Sequence, residues 1–317
     1  MNNEKVNSAV KREDRSFGFR LKLDMRRNWE LYLIFLPVLA YYIMFHYAPM
    51  YGALIAFKDY RPVAGILGSD WVGLHQFNQF MTGHYFWTLI KNTLILSFSN
   101  LIFGFPIPII LALLINELRS RGFARVVQTT TYMPHFISLV VICGMVREFT
   151  KSDGIVTLIF SWFGFPKQTM LNNGNLYMPI YVISSIWQEA GWGSIIYLAA
   201  LTGIDQNLYE AAEIDGAGRF KRTIYITIPS ILPTIVIMFI MRTGKIMSIG
   251  AEKTILLYNP SIYDQSDIIA SYVYRRGIAG TDWSYSSAVG IFNSVINFLL
   301  VIFVNRLSNK ISGSGLW

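Results

Sequence analysis

Five stretches of this chain run for about 19 to 27 residues without a single Asp, Glu, Lys or Arg: 31–57, 92–116, 126–146, 223–241 and 283–305. A helix rises about 1.5 Å per residue, so roughly 20 apolar residues cross the hydrocarbon core of a bilayer. Backbone in lipid must satisfy its own hydrogen bonds, which leaves helix as the conformation for segments of this kind. A sixth segment, about 176–201, is equally apolar except for Glu189 near its middle. The expected fold is all-α, a polytopic membrane bundle of six transmembrane helices. It spans residues 31–308 between tails of 1–30 and 309–317. The composition, 53% hydrophobic against 15% charged with mean hydropathy +0.40, excludes an ordinary soluble domain.

Charge outside the spans is unevenly placed. With the N-terminus inside, the inner segments hold Lys5, Lys11, Arg12, Arg15, Arg20, Lys22, Arg26 and Arg27. They also hold Arg119, Arg121, Arg125, Arg219, Lys221, Arg222, Arg306 and Lys310, which makes sixteen of the 27 basic residues. The positive-inside rule then puts both termini in the cytoplasm. The net charge of +8 follows from this bias toward anionic headgroups, and nucleic-acid binding is not needed to explain it. Residues 1–30 carry too much charge of both signs for a signal-peptide n-region, and no A-x-A site ends the next span. They read as a cytoplasmic tail, partly helical along the membrane surface, ahead of an uncleaved first helix. The single cysteine, Cys143, lies within the third span, where its thiol fills space.

Prolines punctuate the spans. Pro106 and Pro108 remove backbone donors inside the second, predicting a kink or local unwinding, and Pro134 interrupts the third. An outer segment at 147–175 reads as polar and Gly-rich, and a longer one runs over about 244–283. No internal repeat is visible, and no G-x4-G-K-[ST] is present to cradle the phosphates of a nucleotide.

Between the fourth and fifth spans lies a loop of another character, residues 205–229, ending in YEAAEIDGAGRFKRTIYITIP. Its acidic run, 210–215, predicts a short helix with the acids toward the positive end of the helix dipole. Gly216 and Gly218 predict a sharp turn, and 219–225 a second short helix joined rigidly to span five at Pro229. Such a knob can seat in a groove of a soluble partner and transmit a push. The pattern E-A-A-x3-G-x9-I-x-[LI]-P fits Glu210, Ala211, Ala212, Gly216, Ile226, Ile228 and Pro229 without a gap. It resembles the cytoplasmic coupling loop of binding-protein-dependent ABC importers, departing only in Ile228 where leucine is usual. Trp187–Gly193 (WQEAGWG), Leu256–Pro260 (LLYNP) and Tyr272–Arg275 (YVYR) are similar to carbohydrate-importer permeases of the maltose, alginate and pectin-oligosaccharide type.

The resemblance covers about residues 30–310 and implies a non-catalytic permease subunit of a bacterial cytoplasmic membrane. The implied partners are a second, related permease in a heterodimer, two copies of an ATPase and an extracellular solute-binding protein. ATP and Mg would be held by the ATPase, with no cofactor on this chain. Glu210 and Gly216 would sit in the ATPase groove, with Ala211, Ala212, Asp215, Ile226 and Pro229 completing the coupling element.

For the translocation path the residues themselves offer candidates. A charge within the membrane costs about 2.5–3.5 kcal/mol on insertion scales, so Glu189 requires a reason. With Trp187, Gln188 and Trp192 beside it, it combines aromatic faces and hydrogen-bonding groups, as a sugar ring requires. Alternatively it is a structural carboxylate paired with Arg242 or Lys245. Lys91, Asn92, Arg147, Arg242, Lys245 and Lys253 fall near predicted outer span ends, either facing one cavity that attracts an acidic sugar or snorkelling at the headgroups. Glycines at 191, 193, 244 and 250 predict close helix contact or unwound backbone. His46, His75, His84 and His135 show no metal-ligand spacing. A different reading is a self-sufficient secondary transporter with Glu189 as its proton or ion relay.

Overall fold

The computed structural model describes residues 17–312. Lys5, Lys11, Arg12 and Arg15 of the tail, and residues 313–317, lie outside the described residues. Residues up to Leu54 form one compact unit and those from Ile55 another. In the first, α1 (Phe17–Arg27) closes at Asn28, whose amide donates to Asp24 at 2.7 Å. α2 (Trp29–Tyr42) then opens a helical segment that runs to Phe57. None of α2 is buried within the unit, and its Leu, Ile and Phe side chains are exposed. The turn at Ile43–Tyr47 widens to π geometry just ahead of Pro49, which has no N–H to bond one turn back.

The second unit opens with a two-stranded antiparallel ribbon, β1 (Lys58–Asp59) on β2 (Asp70–Trp71), and is otherwise helical. After α3 (His75–Met81), α4 (Phe86–Gly104) and α5 (Pro106–Asn116) make one apolar segment. The two prolines interrupt it only at Phe105, whose backbone stays helical. The third segment departs from expectation. α6 (Arg121–Tyr132) and α7 (Leu139–Phe149), with the 3-10 turn Met133–Phe136 between them, meet at 98°. Pro134 denies the helix a donor, Ile137 is extended, and the Ser138 hydroxyl caps α7 by accepting from Val141 N–H. The segment at 147–175 is not simply polar either. It holds α8 (Ile155–Ser161), with Trp162 beyond it 81% exposed.

α9 (Gly174–Thr202) is the axis of the unit and packs against α4, α5 and α6. The chain continues through α10 (Gln206–Ile214) and α11 (Arg219–Arg222) to α12 (Ile228–Thr243). Next come α13 (Ala251–Leu257), α14 (Ile269–Tyr274) and α15 (Trp283–Ser312). Among the described residues, four helical segments are long and apolar enough to cross a membrane, and the bent α6–α7 pair makes a fifth. α9 has the length, at 29 residues, but its Asn, Gln, Glu and Ser dilute its hydropathy.

Three buried clusters hold the unit together. Ala112, Tyr197, Leu201, Ile204 and Ile231 gather at the end nearest the 205–229 loop. Tyr177, Tyr181, Ile142, Cys143 and Leu257 pack α7, α9 and α13, where Cys143 is 1% exposed as a space-filling thiol. Phe80, Leu89, Ile269 and Val289 join α3, α4, α14 and α15. Residues 244–282 are fastened by polar contacts. Asn92 donates to the carbonyls of Asp264 and Asp267, each at 3.0 Å, and buried Asp267 bonds Arg275 and Ser271. Burial alone would push the Arg275 guanidinium down, but the Asp267 carboxylate outweighs it and holds it above its ordinary value.

Candidate functional site

The 205–229 loop is a helix-turn-helix knob. Asp205 caps α10 by accepting from Asn207 N–H at 3.0 Å. The helix therefore starts earlier than the acidic run predicts, and Glu210 and Glu213 fall in its middle and last turn. The expected placement of these acids at the positive end is overturned. α10 ends in a Schellman motif: Ala217 N–H donates to Ala212 O at 2.8 Å and Gly216 N–H to Glu213 O at 3.0 Å. Gly216 occupies the left-handed position at φ 75°, which gives its place in the motif a physical cause. Gly218 then leads into α11 with an ordinary φ of −65°.

From Arg219 to Thr243 the chain is one helical segment of 25 residues. Its turn at Thr223–Thr227 widens to π geometry, with Ile228 N–H on Thr223 O, because Pro229 offers no donor. Two contacts tie the legs of the knob: Arg222 to Glu213 at 2.9 Å and the Tyr209 hydroxyl to Thr227 at 2.9 Å. Ile226 and Tyr209 pack on the buried cluster of Tyr197, Leu201 and Ile231. Ile226 is thus an anchor toward the bundle, whereas Glu210, Ala211, Asp215, Gly216 and Pro229 are exposed and Ala212 is half-buried. The sequence reading missed the knob's apolar face, Ile214, Phe220 and Tyr225, at 87%, 78% and 75% exposure. Large apolar side chains in a polar loop were the available signal.

The path candidates separate. Glu189 and Trp192 lie three residues apart on one face of α9. They meet the break between α6 and α7. Glu189 Oε2 is 3.4 Å from His135 Nδ1, which makes no hydrogen bond there, so the two side chains approach closely without being bonded. The His135 ring stacks on Trp192 at 4.5 Å and 2°, and Phe136 meets the same indole edge-on at 5.5 Å. Trp192 stays 44% exposed. Gln188 points into the bundle and is buried, while Trp187 borders an apolar cleft with Met145, Phe149 and Ile183.

The expected pairing of Glu189 with Arg242 or Lys245 is not formed. Arg242 reaches Asn100 at 3.5 Å, and with Lys245 and Ser97 it lines a cleft of about 240 Å³. Asn92 spends its amide on the backbone bonds to Asp264 and Asp267. Lys253 does not snorkel. It is 5% exposed, donates to Ser185 at 2.8 Å and sits 5.0 Å from the Tyr181 ring centre. The six polar residues near the predicted span ends therefore do not face one cavity. His135 was noticed in the sequence only as lacking metal-ligand spacing, and no periodicity links it to α9.

The chain is thus a polytopic helical protein whose exposed knob continues into a helix of membrane length. Residues 104–313 match the family described as binding-protein-dependent transport system inner membrane component, and the chain belongs to that family. It is thus a component of a larger system, not a self-sufficient carrier. It is 42% identical to the polygalacturonan/rhamnogalacturonan transport system permease protein YteP of Bacillus subtilis (strain 168), over 94% of this chain and 93% of that one. Protein LplB of the same organism is 40% identical over 95% of this chain and 95% of its own length. A chain of a bacterial alginate ABC transporter, solved in complex with an alginate pentasaccharide-bound periplasmic protein, superposes with TM-score 0.86 at 42% identity. That match covers 94% of this chain and 100% of the other.

Proposed function

We propose that this chain is the permease subunit of an ATP-driven importer that carries an oligosaccharide inward, with acidic sugars as its substrate class. The observation that carries the coupling is the braced knob running unbroken into the 25-residue segment ending at Thr243. Seated in a groove of an ATPase, with Glu210 and Gly216 against it, the knob moves as one body with α12. Closure of the two ATPase subunits on ATP then tilts α12 and changes the side to which the pathway opens. ATP and Mg belong to the ATPase, and this chain supplies no catalytic group.

The substrate reading rests on the names of the relatives and on the chemistry of the bundle. The stacked His135–Trp192 pair beside Glu189 offers a sugar a flat apolar face next to an acceptor. Arg242 and Lys245, unpaired with carboxylate in their cleft, attract a uronate. Six spans, α9 included, with both termini cytoplasmic, complete the topology. A second, different permease shares the pathway, and an extracellular binding protein delivers the sugar.

Purification from native membranes in mild detergent, followed by mass spectrometry of the bound chains, tests the assembly. Recovery of an ATPase and a second permease, with the ATPase lost on Gly216→Pro, is expected. A chain that purifies alone and still carries a uronate oligosaccharide into liposomes would falsify the coupling. Uptake that stops on collapse of the proton gradient at constant ATP would return the role to Glu189.

A further inference from the structure

At the end of the bundle away from the knob, a groove of about 410 Å³ opens between the start of α9 and residues 261–265. Its exposed lining is Gln168, Asn172, Asn175, Ser261, Asp264 and Gln265. A second cleft of about 280 Å³ adjoins it, sharing Gly174, Asn175, Asp264 and Gln265, and carries Thr88, Lys91 and Met178 on its far wall. Neither belongs to the Glu189 platform or to the Arg242 cleft.

The backbone of the groove walls is held by amide side chains. Asn259 Nδ2 donates to Leu171 O and Asn172 Oδ1, both at 3.2 Å, and its Oδ1 accepts from Ser261 N–H at 3.0 Å. Asn92 fixes the opposite wall through the Asp264 and Asp267 carbonyls. Gln265 lies across Gly174 so closely that a Cβ there would meet its Oε1 at 1.4 Å. The wall backbone is therefore fixed before anything binds, which lowers the ordering cost of binding.

What could occupy it follows from the lining. Amide side chains each both donate and accept, a carboxylate accepts, and a hydroxyl does either. Neighbouring sugar hydroxyls, each donor and acceptor, match such a set. In the first groove an acyl chain meets only the buried Ile262 and a phosphate meets Asp264, while the second cleft adds Lys91 for a uronate carboxylate and Ile95 and Met178 for the CH face of a sugar ring. The first groove, at about 410 Å³, lies within the range of roughly 300–1,000 Å³ usual for ligand sites. The geometry points to an oligosaccharide-binding groove at the mouth of the pathway, centred on Gln168, Asn175, Asp264 and Gln265, that takes the hydroxyl-bearing face of the sugar before it enters the bundle. This rests on the sugar-importer reading above.

The test uses the assembled transporter and three probes: a galacturonate, an alginate and an arabinan pentasaccharide. ATP-driven uptake into liposomes first identifies the probe that is carried; if none is, the importer reading falls and the groove with it. With a carried probe, maleimide labelling of Asn175→Cys is expected to slow at least fivefold when the sugar is added without binding protein. Labelling unchanged by that sugar overturns the groove while leaving the importer reading intact. Protection that requires the binding protein and is independent of sugar assigns the groove to protein docking and overturns it equally. In the same liposomes Gln168→Ala with Asn175→Ala is expected to raise the uptake KM about fivefold at unchanged maximal rate, and an unchanged KM counts against the proposal.

Discussion

At Gly191 the backbone of α9 lies against that of α6, and a Cβ there would fall 2.0 Å from Thr131 O. The obstructing atom is main chain, so no rotamer change relieves it. Gly191→Ala is expected to cost stability on the scale of overpacking, about 1–3 kcal/mol, read as a lower thermal midpoint of the detergent-solubilised transporter. Gly218→Ala is the control, since its Cβ would enter open space at an ordinary φ of −65°. Equal midpoints for the two variants would remove the close approach from the account. A second prediction separates the two tryptophans that sequence alone grouped together. Trp192 carries the His135 stack, whereas Trp187 borders an apolar cleft. Trp192→Leu should raise the uptake KM about fivefold, as losing a stacking face worth roughly 1 kcal/mol implies, while Trp187→Leu leaves it near wild type. If both change alike, the platform is not a substrate contact.

At the scale of elements, the knob is two short helices whose relative position depends on few contacts. The Arg222–Glu213 bridge joins a largely buried guanidinium to an exposed carboxylate at 2.9 Å. With its carboxylate in solvent the pair contributes only about 0.2–1 kcal/mol, so its role is geometric and not a matter of global stability. Glu213→Arg sets two cations against each other and is expected to lower sugar-stimulated ATP hydrolysis at least twofold with the thermal midpoint unchanged. Adding Arg222→Glu restores the bridge in reverse and should restore the stimulation; a double variant as poor as the single would show that Glu213 meets the partner directly. The same elements show what the sequence could and could not disclose. Charge-free windows are long-range averages, so they located the four straight membrane-length segments, and the Gly216 turn was legible because glycine best suits its backbone. The start of α10 was not, because a single cap at Asp205 outweighs the pull of a later acidic run. The right angle at Pro134 was read only as an interruption, since its size depends on where Ser138 restarts the helix. The His135–Glu189 contact and the burial of Lys253 were invisible because they join residues far apart in sequence, which periodicity cannot pair.

At the scale of the whole molecule, the proposed mechanism asks that a push on the knob reach the Arg242–Lys245 cleft undiminished. Arg219–Thr243 is the only structure offered for this, a segment of 25 residues and, at 1.5 Å per residue, about 37 Å long. Its weak point is the π turn at Thr223–Thr227, where the hydrogen bonds shift from four to five residues back next to Pro229. Tyr209 and Ile226 counter this by packing the turn against Tyr197, Leu201 and Ile231, and the Tyr209–Thr227 bond crosses it directly. If that support suffices, the segment moves as a lever. Spin labels at Phe220→Cys and Met241→Cys, both exposed sites, should then keep their separation within about 2 Å between the ATP-free and ATP-trapped transporter. A label pair at Phe220→Cys and Trp162→Cys, from the knob to the end of α8, should change by more. Native Cys143 is 1% exposed, so within this chain labelling is confined to the introduced thiols, and the partner subunits are used free of cysteine. A Phe220–Met241 distance that shifts with nucleotide would make the π turn a hinge, and the push would then be absorbed at Pro229 before it reached the cleft.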